Sequence, residues 1–312
     1  MERKLIVDLD PGVGDAFAAV LAMCDPSLDV LAMTATAGAV PGAVATRNLQ
    51  AVVAQVDPPK WPRIGAAHSG SSAASHPAPG SMLDVLNGPT GLGDMEVVVP
   101  ELHHRHESWK VLTDIVRANP HQVTLLTLGP LTNVVAACER APDFLELLGG
   151  LVCLGGSVEV GGDITAAAET NIYLNPEAAR SVLTGPEAKT LVPLDVTSRV
   201  VLTYENFQRI AEGTSPGVEF LRQLLPFAFR AHHQHMGMEG IYLREVVALA
   251  AISRPDLFRL QSLSVDVETH GELTRGMTVF ERRRQHLTKA TTNVALDVDA
   301  QGIADYVTQL LR

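Results

Sequence analysis

The sequence is poor in cysteine, and this shortage bears on where the protein works. Its 312 residues include only three cysteines, Cys24, Cys138 and Cys153. All three lie in apolar segments. An odd number of cysteines in such segments predicts buried thiols in a reducing compartment, not a disulfide framework. The first strand-like run begins within a few residues of Met1, so we expect no signal peptide and a cytoplasmic location.

Basic residues and long apolar runs are also scarce. The chain has 24 Lys and Arg against 35 Asp and Glu, which gives a net charge of −11. This balance argues against nucleic acid or an anionic membrane surface as a partner. No apolar run reaches the roughly 20 residues of a transmembrane helix, so we expect no membrane association. These absences fit an enzyme whose substrate is a small molecule.

Aromatic residues make up only 4 % of the chain, but hydrophobic residues as a whole reach 46 %. That content suffices for a substantial core. Because no internal repeat and no clear linker interrupts the sequence, we expect a single domain over residues 1–312.

Apolar strand-like runs alternate with helix-like runs along the chain. This alternation predicts an α/β fold with a mixed, mostly parallel central sheet and helices on both faces, similar to a Rossmann core. Ligands of such sheets bind beyond the carboxyl ends of the strands. The predicted strands are 4–8, 30–36, 122–126, 150–154 and 188–194. The predicted helices are 15–24, 40–56, 108–119, 131–139, 176–183 and 204–213.

Three further segments have a distinctive composition. Residues 66–100 are rich in Gly, Ser, Ala and Pro, which predicts a long surface loop, either a flap over a site or an insertion. Residues 260–279 alternate charged and β-branched residues, as antiparallel or edge strands do. Residues 300–311 are expected to close the chain with a helix.

Three carboxylates crowd the end of the first predicted strand. Asp8 and Asp10 follow the run Leu5-Ile6-Val7, and Asp15 comes after a Pro-Gly turn at the start of the next helix. Carboxylates so close together raise one another's pKa unless a cation or a proton neutralises them. The pattern therefore indicates a metal site or an acid/base site.

The residues alone leave three interpretations of this cluster. Asp15 as a helix cap and Asp10 as a turn residue would need no ligand. Hard oxygen ligands would suit calcium or magnesium. Alternatively, Asp8 would be the nucleophile and Asp10 the acid/base of a phosphoryl transfer.

Motifs elsewhere resemble those of the inosine-uridine nucleoside hydrolase family. The opening Asp8-Leu9-Asp10-Pro11-Gly12 is similar to the family's Asp-Thr-Asp-Pro-Gly signature, which continues with any residue and then Asp-Asp. Four further segments match in the same order, so the resemblance covers nearly the whole chain. They are Thr127 to Asn133, Gly155-Gly156 with Ala168 to Ile172 and Asn175 to Ala179, Pro193 to Thr197, and Gly271 to Thr278.

The resemblance implies a Ca²⁺ ion held by Asp10, Asp15, the backbone carbonyl of Leu128 and Glu245. It implies that Asp10 is the catalytic residue and activates a water at the ion for attack on C1′ of a ribosyl group. Glu169 and Asn171 would hold ribose hydroxyls. The family commonly forms homodimers or homotetramers, so we expect a homo-oligomer with a ribosylated small molecule as substrate.

The sequence departs from the family at several site positions. Gly14 replaces the first of the paired aspartates, and Ala39 stands where an asparagine is usual near the sugar. Asp163 replaces an asparagine at the far end of the ribose. Arg244 replaces a histidine that protonates some leaving bases, and Glu245 replaces an aspartate ligand. Arg244 does not release its proton at neutral pH, but it can pair with an anionic group.

Two functions therefore compete. The first is a calcium-dependent N-ribosyl hydrolase of a nucleoside or related ribosylated compound, and the altered sugar site favours a substrate that differs from a plain nucleoside. Its substrate-binding residues would be Asp163, Glu169, Asn171 and Arg244. The second is a catalytically weak or inactive relative that binds a ribosyl ligand or calcium. Gly14 and Ala39 each remove a hydrogen-bonding side chain, and losing such a bond costs about 0.5–1.5 kcal/mol.

Overall fold

The computed structural model describes residues 2–67, 80–97, 99, 106–283 and 292–312 of the chain. The strands are β1 Arg3–Leu9, β2 Leu28–Ala35, β3 Arg63–Gly65, β4 Val123–Thr127, β5 Gly150–Leu154, β6 Lys189–Val192, β7 Val201–Thr203, β8 Gly240–Tyr242, β9 Phe258–Val267, β10 Thr278–Glu281 and β11 Thr292–Val298. The helices are α1 Val13–Cys24, α2 Gly42–Val56, α3 Met82–Asn87, α4 Ser108–Ala118, α5 Thr132–Arg140, α6 Thr170–Leu174, α7 Pro176–Leu183, α8 Leu194–Thr197, α9 Tyr204–Ile210, α10 Pro216–Met236, α11 Arg244–Ser253 and α12 Ala300–Leu310.

Nine of these strands form one sheet, in the order β10-β9-β11-β6-β5-β4-β1-β2-β3. The strands from β11 to β3 in this order run parallel to one another. Strand β9 is antiparallel to both β11 and β10. Strands β7 and β8 form a separate antiparallel pair. The mixed, mostly parallel sheet predicted from the sequence is confirmed.

Helices cover both faces of the sheet because the strand side chains alternate in direction. On β1, Leu5, Val7 and Leu9 belong to a core that includes residues of α1, α2, α10 and α11. Ile6, which points the other way, belongs to a second core with residues of α4, α5 and α7. Both cores are apolar, so the sheet is buried on both sides and its strands read as nearly continuous apolar runs.

The five predicted strands correspond to β1, β2, β4, β5 and β6, and the six predicted helices are all present with end shifts of a few residues. The alternating segment 260–279 contains most of β9 and the start of β10, which are the antiparallel strands at one edge. Helix α12 closes the chain as predicted.

Helix α10 was not predicted, and the long segment predicted as a loop also differs from its prediction. Within it, residues 82–87 form the short helix α3, which the side chain of Ser81 caps by accepting a hydrogen bond from the backbone N–H of Asp84 at 3.3 Å. Residues 68–79, 98 and 100 of that segment lie outside the described residues. The flap interpretation therefore stays a prediction.

In the described part of the chain, no helix has the length and apolar character that a membrane crossing demands.

The parallel strands bring their carboxyl ends to one edge of the sheet. Asp10 follows β1, Leu128 follows β4 and Gly155 follows β5, and all three line the same cavity. Ala39, in the loop after β2, and Leu194, after β6, line it as well. Five separate chain segments thus converge where the topology of an open parallel sheet places a ligand site.

Candidate active site

All eight residues that the sequence analysis assigned to the site line this single cavity. They come from five regions of the chain: the β1–α1 junction, the end of β4, the loop before α6, the start of α6 and the start of α11. They are Asp10, Asp15, Leu128, Asp163, Glu169, Asn171, Arg244 and Glu245. The structure therefore confirms that these residues lie together, while their individual roles stay predictions.

Asp8 supports the site from behind it. Its side chain is completely buried, and its Oδ1 accepts hydrogen bonds from Thr34 Oγ1 at 2.6 Å and from Asn133 Nδ2 at 2.8 Å. Burial raises the pKa of Asp8 to about 7, although both hydrogen bonds act against this shift. A side chain with no exposed surface cannot attack a substrate, so the structure disfavours Asp8 as a phosphoryl-transfer nucleophile.

The Asp10 carboxylate lies in the cavity and packs closely against the backbone of two neighbouring loops. Its Oδ2 accepts a hydrogen bond from the backbone N–H of Ala39 at 2.5 Å. A Cβ atom at Gly38 would come within 2.0 Å of that Oδ2, and one at Gly129 within 2.4 Å of Oδ1. These two glycines are therefore required for the carboxylate to fit. Burial, and then the charges of Glu245 and Asp8, raise the pKa of Asp10 to about 8.

Asp15 and Glu245 complete a group of three acidic side chains. Asp15 is in the first turn of α1, and its Oδ1 is buried without a hydrogen-bond partner. Glu245 is in the first turn of α11, opposite α1. Burial raises the pKa of Asp15, and the charges of Asp10 and Glu245 raise it further. Burial likewise raises the pKa of Glu245. A bound cation would relieve this repulsion.

The donor set around this acidic group fits a hard cation. It consists of carboxylate oxygens and the Leu128 carbonyl, the oxygen ligands that calcium and magnesium take. The arrangement is not a finished cage. Among the described residues, no three His, Cys, Asp or Glu side chains already surround one point as metal ligands do. The Leu128 carbonyl also accepts a hydrogen bond from Asn171 Nδ2 at 2.7 Å. A complete coordination shell would therefore need some of these groups to adjust when an ion binds.

Glu169 and Asn171 are placed by the N-terminus of α6. Glu169 caps this helix, because its carboxylate accepts hydrogen bonds from the backbone N–H groups of Asn171 at 3.0 Å and Ile172 at 3.1 Å. It also accepts one from Gly156 N at 2.9 Å. Burial and the charge of Asp163 nevertheless raise the pKa of Glu169 to about 7. The Asn171 amide bridges the ends of β4 and β5 through Leu128 and Leu154.

Arg244 and Asp163 form an ion pair at the side of the cavity. Asp163 is further fixed by hydrogen bonds from the backbone N–H of Thr170 at 2.9 Å and its hydroxyl at 3.0 Å. The Arg244 guanidinium lies over the ring of Tyr242 at 5.2 Å from its centroid. The anionic partner expected for Arg244 is thus present within the chain. It is Asp163, which itself departs from the family pattern.

A second, mostly apolar cavity adjoins the first. The two share Leu83, Asn87, Arg244 and Glu245 as a common wall. The apolar cavity is also lined by the imidazole of His232, from α10. Its Nδ1 lies 2.9 Å from the carbonyl of Ala228, and burial lowers its pKa. The remaining lining is largely aliphatic, with Phe17, Leu86, Leu225, Met236 and Ile241 among its members.

The sequence analysis missed Asn87 and Leu83 of α3, which line both cavities. Asn87 Oδ1 accepts a hydrogen bond from the backbone N–H of Val13 at 2.8 Å. It thereby caps α1, whose own N-cap residue is Gly12 and has no side chain to do so. The only local signal is Ser81 with Asp84 three residues later, which indicates a helix start but not its position over the site.

An α/β fold whose parallel strands deliver buried carboxylates to one cavity is typical of enzymes that act on small molecules. The family model described as inosine-uridine preferring nucleoside hydrolase matches residues 5–305. The chain belongs to this family, as its motifs predict. Membership also confirms the predicted class of activity, hydrolysis of the N-glycosidic bond of a ribosylated compound.

Individual relatives agree with this assignment over their full lengths. The chain is 32% identical to a pyrimidine-specific ribonucleoside hydrolase, RihA, of Photobacterium profundum, covering 100% of this chain and 99% of the relative. It is 30% identical to uridine nucleosidase 1 of Arabidopsis thaliana, covering 98% and 92%. Among solved structures, the purine-preferring ribonucleoside hydrolase from Gardnerella vaginalis superposes with a TM-score of 0.89 at 26% identity, covering 99% and 98%.

Proposed function

We propose that this chain is a calcium-dependent hydrolase of nucleosides, with Asp10 as general base. The observation that supports this most directly is the meeting of Asp10, Asp15 and Glu245 with Glu169 and Asn171 in one cavity. The first group offers the charge that attracts a divalent cation. The second offers acceptors and donors for sugar hydroxyls.

The reaction needs a water made nucleophilic and a bond to nitrogen broken. When bound, Ca²⁺ would hold and orient oxygen ligands, and it lowers the pKa of water less than Zn²⁺ does, so a nearby base is needed. Asp10 accepts the proton as the water oxygen bonds to C1′. The electron pair of the C1′–N bond leaves with the base. The sugar develops oxocarbenium character, which the surrounding carboxylates stabilise.

Ribose binding falls to the residues at the start of α6. The Glu169 carboxylate and the Asn171 amide are held rigidly by their backbone partners. Rigid acceptors cost little reorganisation when a hydroxyl arrives. Asp163 and Arg244, as a pair, would close the far side of the sugar.

The leaving base would occupy the adjoining apolar cavity. Its aliphatic and aromatic lining suits the faces of a planar ring. Arg244, at the shared wall, cannot protonate the leaving base, and the lowered pKa of His232 leaves its imidazole mostly neutral at pH 7. Bases that depart without strong acid catalysis are therefore the expected substrates. The relatives named above include pyrimidine-specific and purine-preferring enzymes, so the choice between these bases is left to the assay.

One observation favours the second candidate, a weak or inactive relative that binds a ribosyl ligand or calcium. The acidic side chains are not preformed into an ion cage, and Asn171 occupies the Leu128 carbonyl. Two further predictions accompany the first candidate: a homodimeric or homotetrameric state, from the family, and a cytoplasmic location, from the cysteine content.

Hydrolysis of a nucleoside panel, with and without Ca²⁺, tests this proposal. Protein stripped with a chelator should regain turnover of at least one nucleoside when Ca²⁺ is added. Asp10→Asn should lower kcat by about 10²–10⁴-fold, the usual contribution of a general base. Asp143→Asn, which removes a half-exposed carboxylate paired with Arg117, is the matched control and should keep full activity. Calcium binding without turnover of any nucleoside would instead support the inactive relative.

A further inference from the structure

Gly14 and Glu245 lie against each other across the junction of α1 and α11. A Cβ atom built on Gly14 would come within 2.1 Å of Glu245 Oε2, 2.5 Å of its Cδ and 2.8 Å of its Oε1. The whole carboxylate group of Glu245 therefore packs directly against the α-carbon of Gly14. No side chain of any kind at position 14 is compatible with this placement of Glu245.

The backbone at Gly14 does not itself require glycine. Gly14 is an ordinary residue in the first turn of α1, and it is not among the glycines with a positive φ. Glycine within a helix is unfavourable by about 1 kcal/mol relative to alanine. A local reason for keeping it is therefore needed, and the three atoms nearest to the added Cβ all belong to the Glu245 carboxylate.

The resulting position of the Glu245 carboxylate matters to the acidic group. Its charge acts on both Asp10 and Asp15, so it lies within electrostatic reach of both. It also belongs to the wall shared by the two cavities.

We infer that Gly14 is a positioning residue for Glu245: the missing side chain at position 14 makes the room in which the longer glutamate arm reaches the ion site. Gly14 and Glu245 then form one functional pair, because the longer arm of Glu245 requires that position 14 has no side chain. This inference rests on the proposed function, because it takes Glu245 to be an ion ligand.

The contact links two substitutions that would otherwise be counted as independent losses. A glycine in place of an aspartate, and a glutamate in place of an aspartate, together keep a carboxylate beside the start of α1. The family pattern has an aspartate at each of these two positions, and this chain keeps only the carboxylate from α11. That carboxylate lies against position 14, in the space that a side chain there would need.

Calcium titration of four proteins by calorimetry tests the inference: wild type, Gly14→Ala, Glu245→Asp and Gly14→Ala/Glu245→Asp. In the wild-type background, the alanine methyl should push the glutamate carboxylate aside and weaken Ca²⁺ binding about 10–100-fold, as loss of a supporting contact does at metal sites. Because the displaced group is the end of a flexible side chain, Tm without Ca²⁺ should not fall. In the Glu245→Asp background the shorter arm leaves space for the methyl, so the same alanine should leave affinity unchanged.

Gly150→Ala is the control, since its added methyl would meet Thr124 at an ordinary contact distance of 3.5 Å, at the end of β5 opposite the cavity. It should not alter Ca²⁺ affinity. Equal weakening by Gly14→Ala in both backgrounds, or none in either, would overturn the inference while leaving the proposed calcium site intact. Wild-type protein that binds no Ca²⁺ would overturn both. If Gly14→Ala does lower Tm, recovery of Tm in the double variant still supports the contact, and its absence refutes it.

Discussion

At the scale of single residues, Glu169 shows how burial and hydrogen bonding compete. Three backbone N–H groups stabilise its charged form, and yet burial raises the pKa from its ordinary value of 4.5 to about 7. Because the folded chain holds this proton more tightly than the unfolded chain, the contribution to stability is complete below pH 4.5. It is lost progressively as the pH rises to about 7.

Glu169→Gln should remove this pH dependence. The glutamine is neutral at every pH, so it resembles the protonated glutamic acid that wild-type protein holds at pH 5. At pH 8 the wild type carries a buried charge that the variant lacks. Between pH 5 and pH 8, the Tm of the variant relative to wild type should therefore rise by a few degrees, about 2–4 °C for each kcal/mol. Thermal unfolding in the presence of a chelator measures this difference.

The control for this experiment is Glu177→Gln, which neutralises an exposed carboxylate on the neighbouring helix α7. It should keep a constant Tm difference from wild type over the same pH range. Contributions from Asp8 and Asp10 are present in every protein compared and cancel. A constant offset for Glu169→Gln as well would show that Glu169 is already ionised at pH 5.

At the scale of elements, α1 depends on a cap from a distant part of the chain. The Val13 N–H donates to Asn87 Oδ1 of α3, 74 positions along the sequence. Asn87→Ala would leave this N–H without a partner and should cost about 1–2 kcal/mol of the free energy of unfolding. Because α3 also lines both cavities, the KM for a nucleoside should rise as well. Urea denaturation and steady-state kinetics measure the two effects.

The geometry offers a matched rescue of this variant. A Cβ at Gly12 would lie 2.3 Å from Asn87 Oδ1, so a side chain at position 12 is excluded while Asn87 is present. Once Asn87 is alanine, Gly12→Ser has room and supplies a local cap of the usual kind. Stability should then recover, whereas Gly12→Ser alone should destabilise. KM should stay high in the rescued protein, because the hydrogen bond that joins α3 to α1 is still missing. If KM recovered as well, α3 would not contribute to the site.

The elements also show what the sequence could and could not predict. Strand β1 and helix α1 were predictable because their apolar periods are strong and the carboxylates mark the junction. Helix α10 was not predicted, since Pro226 lies inside it and proline is normally a sign that a helix has ended. Likewise, the composition of the segment around α3 is typical of a loop. Its placement is set by the long-range contact of Asn87, which no local pattern contains.

At the scale of the whole molecule, the family motifs identified the residues of the site but not their mutual contacts. Asp10, Glu169 and Asn171 stand in recognisable motifs, so their convergence followed from the resemblance. The pairing of Arg244 with Asp163 and the contact of Gly14 with Glu245 could not be predicted in this way. Each joins two departures from the family pattern that are far apart in sequence. Only the folded chain shows that the residues of each pair lie in contact.

Acidic residues are in excess in the cavity, as they are in the whole chain with its net charge of −11. This excess predicts that anionic substrates bind poorly. Five carboxylates and a single guanidinium line the cavity, and that guanidinium is paired with Asp163. Even with a divalent ion bound, negative charge remains in excess. A nucleoside 5′-monophosphate should therefore be hydrolysed with a kcat/KM at least about 100-fold below that of its nucleoside, because like charges in contact cost several kcal/mol.

A chromatographic assay of base release tests this prediction. Asp163→Asn, which frees Arg244, should bring the kcat/KM for the monophosphate closer to that for the nucleoside. Lys60→Ala, a distant surface substitution, should leave the difference unchanged. A wild-type enzyme that prefers the monophosphate, and loses that preference on Arg244→Ala, would show instead that Arg244 leaves Asp163 to bind phosphate.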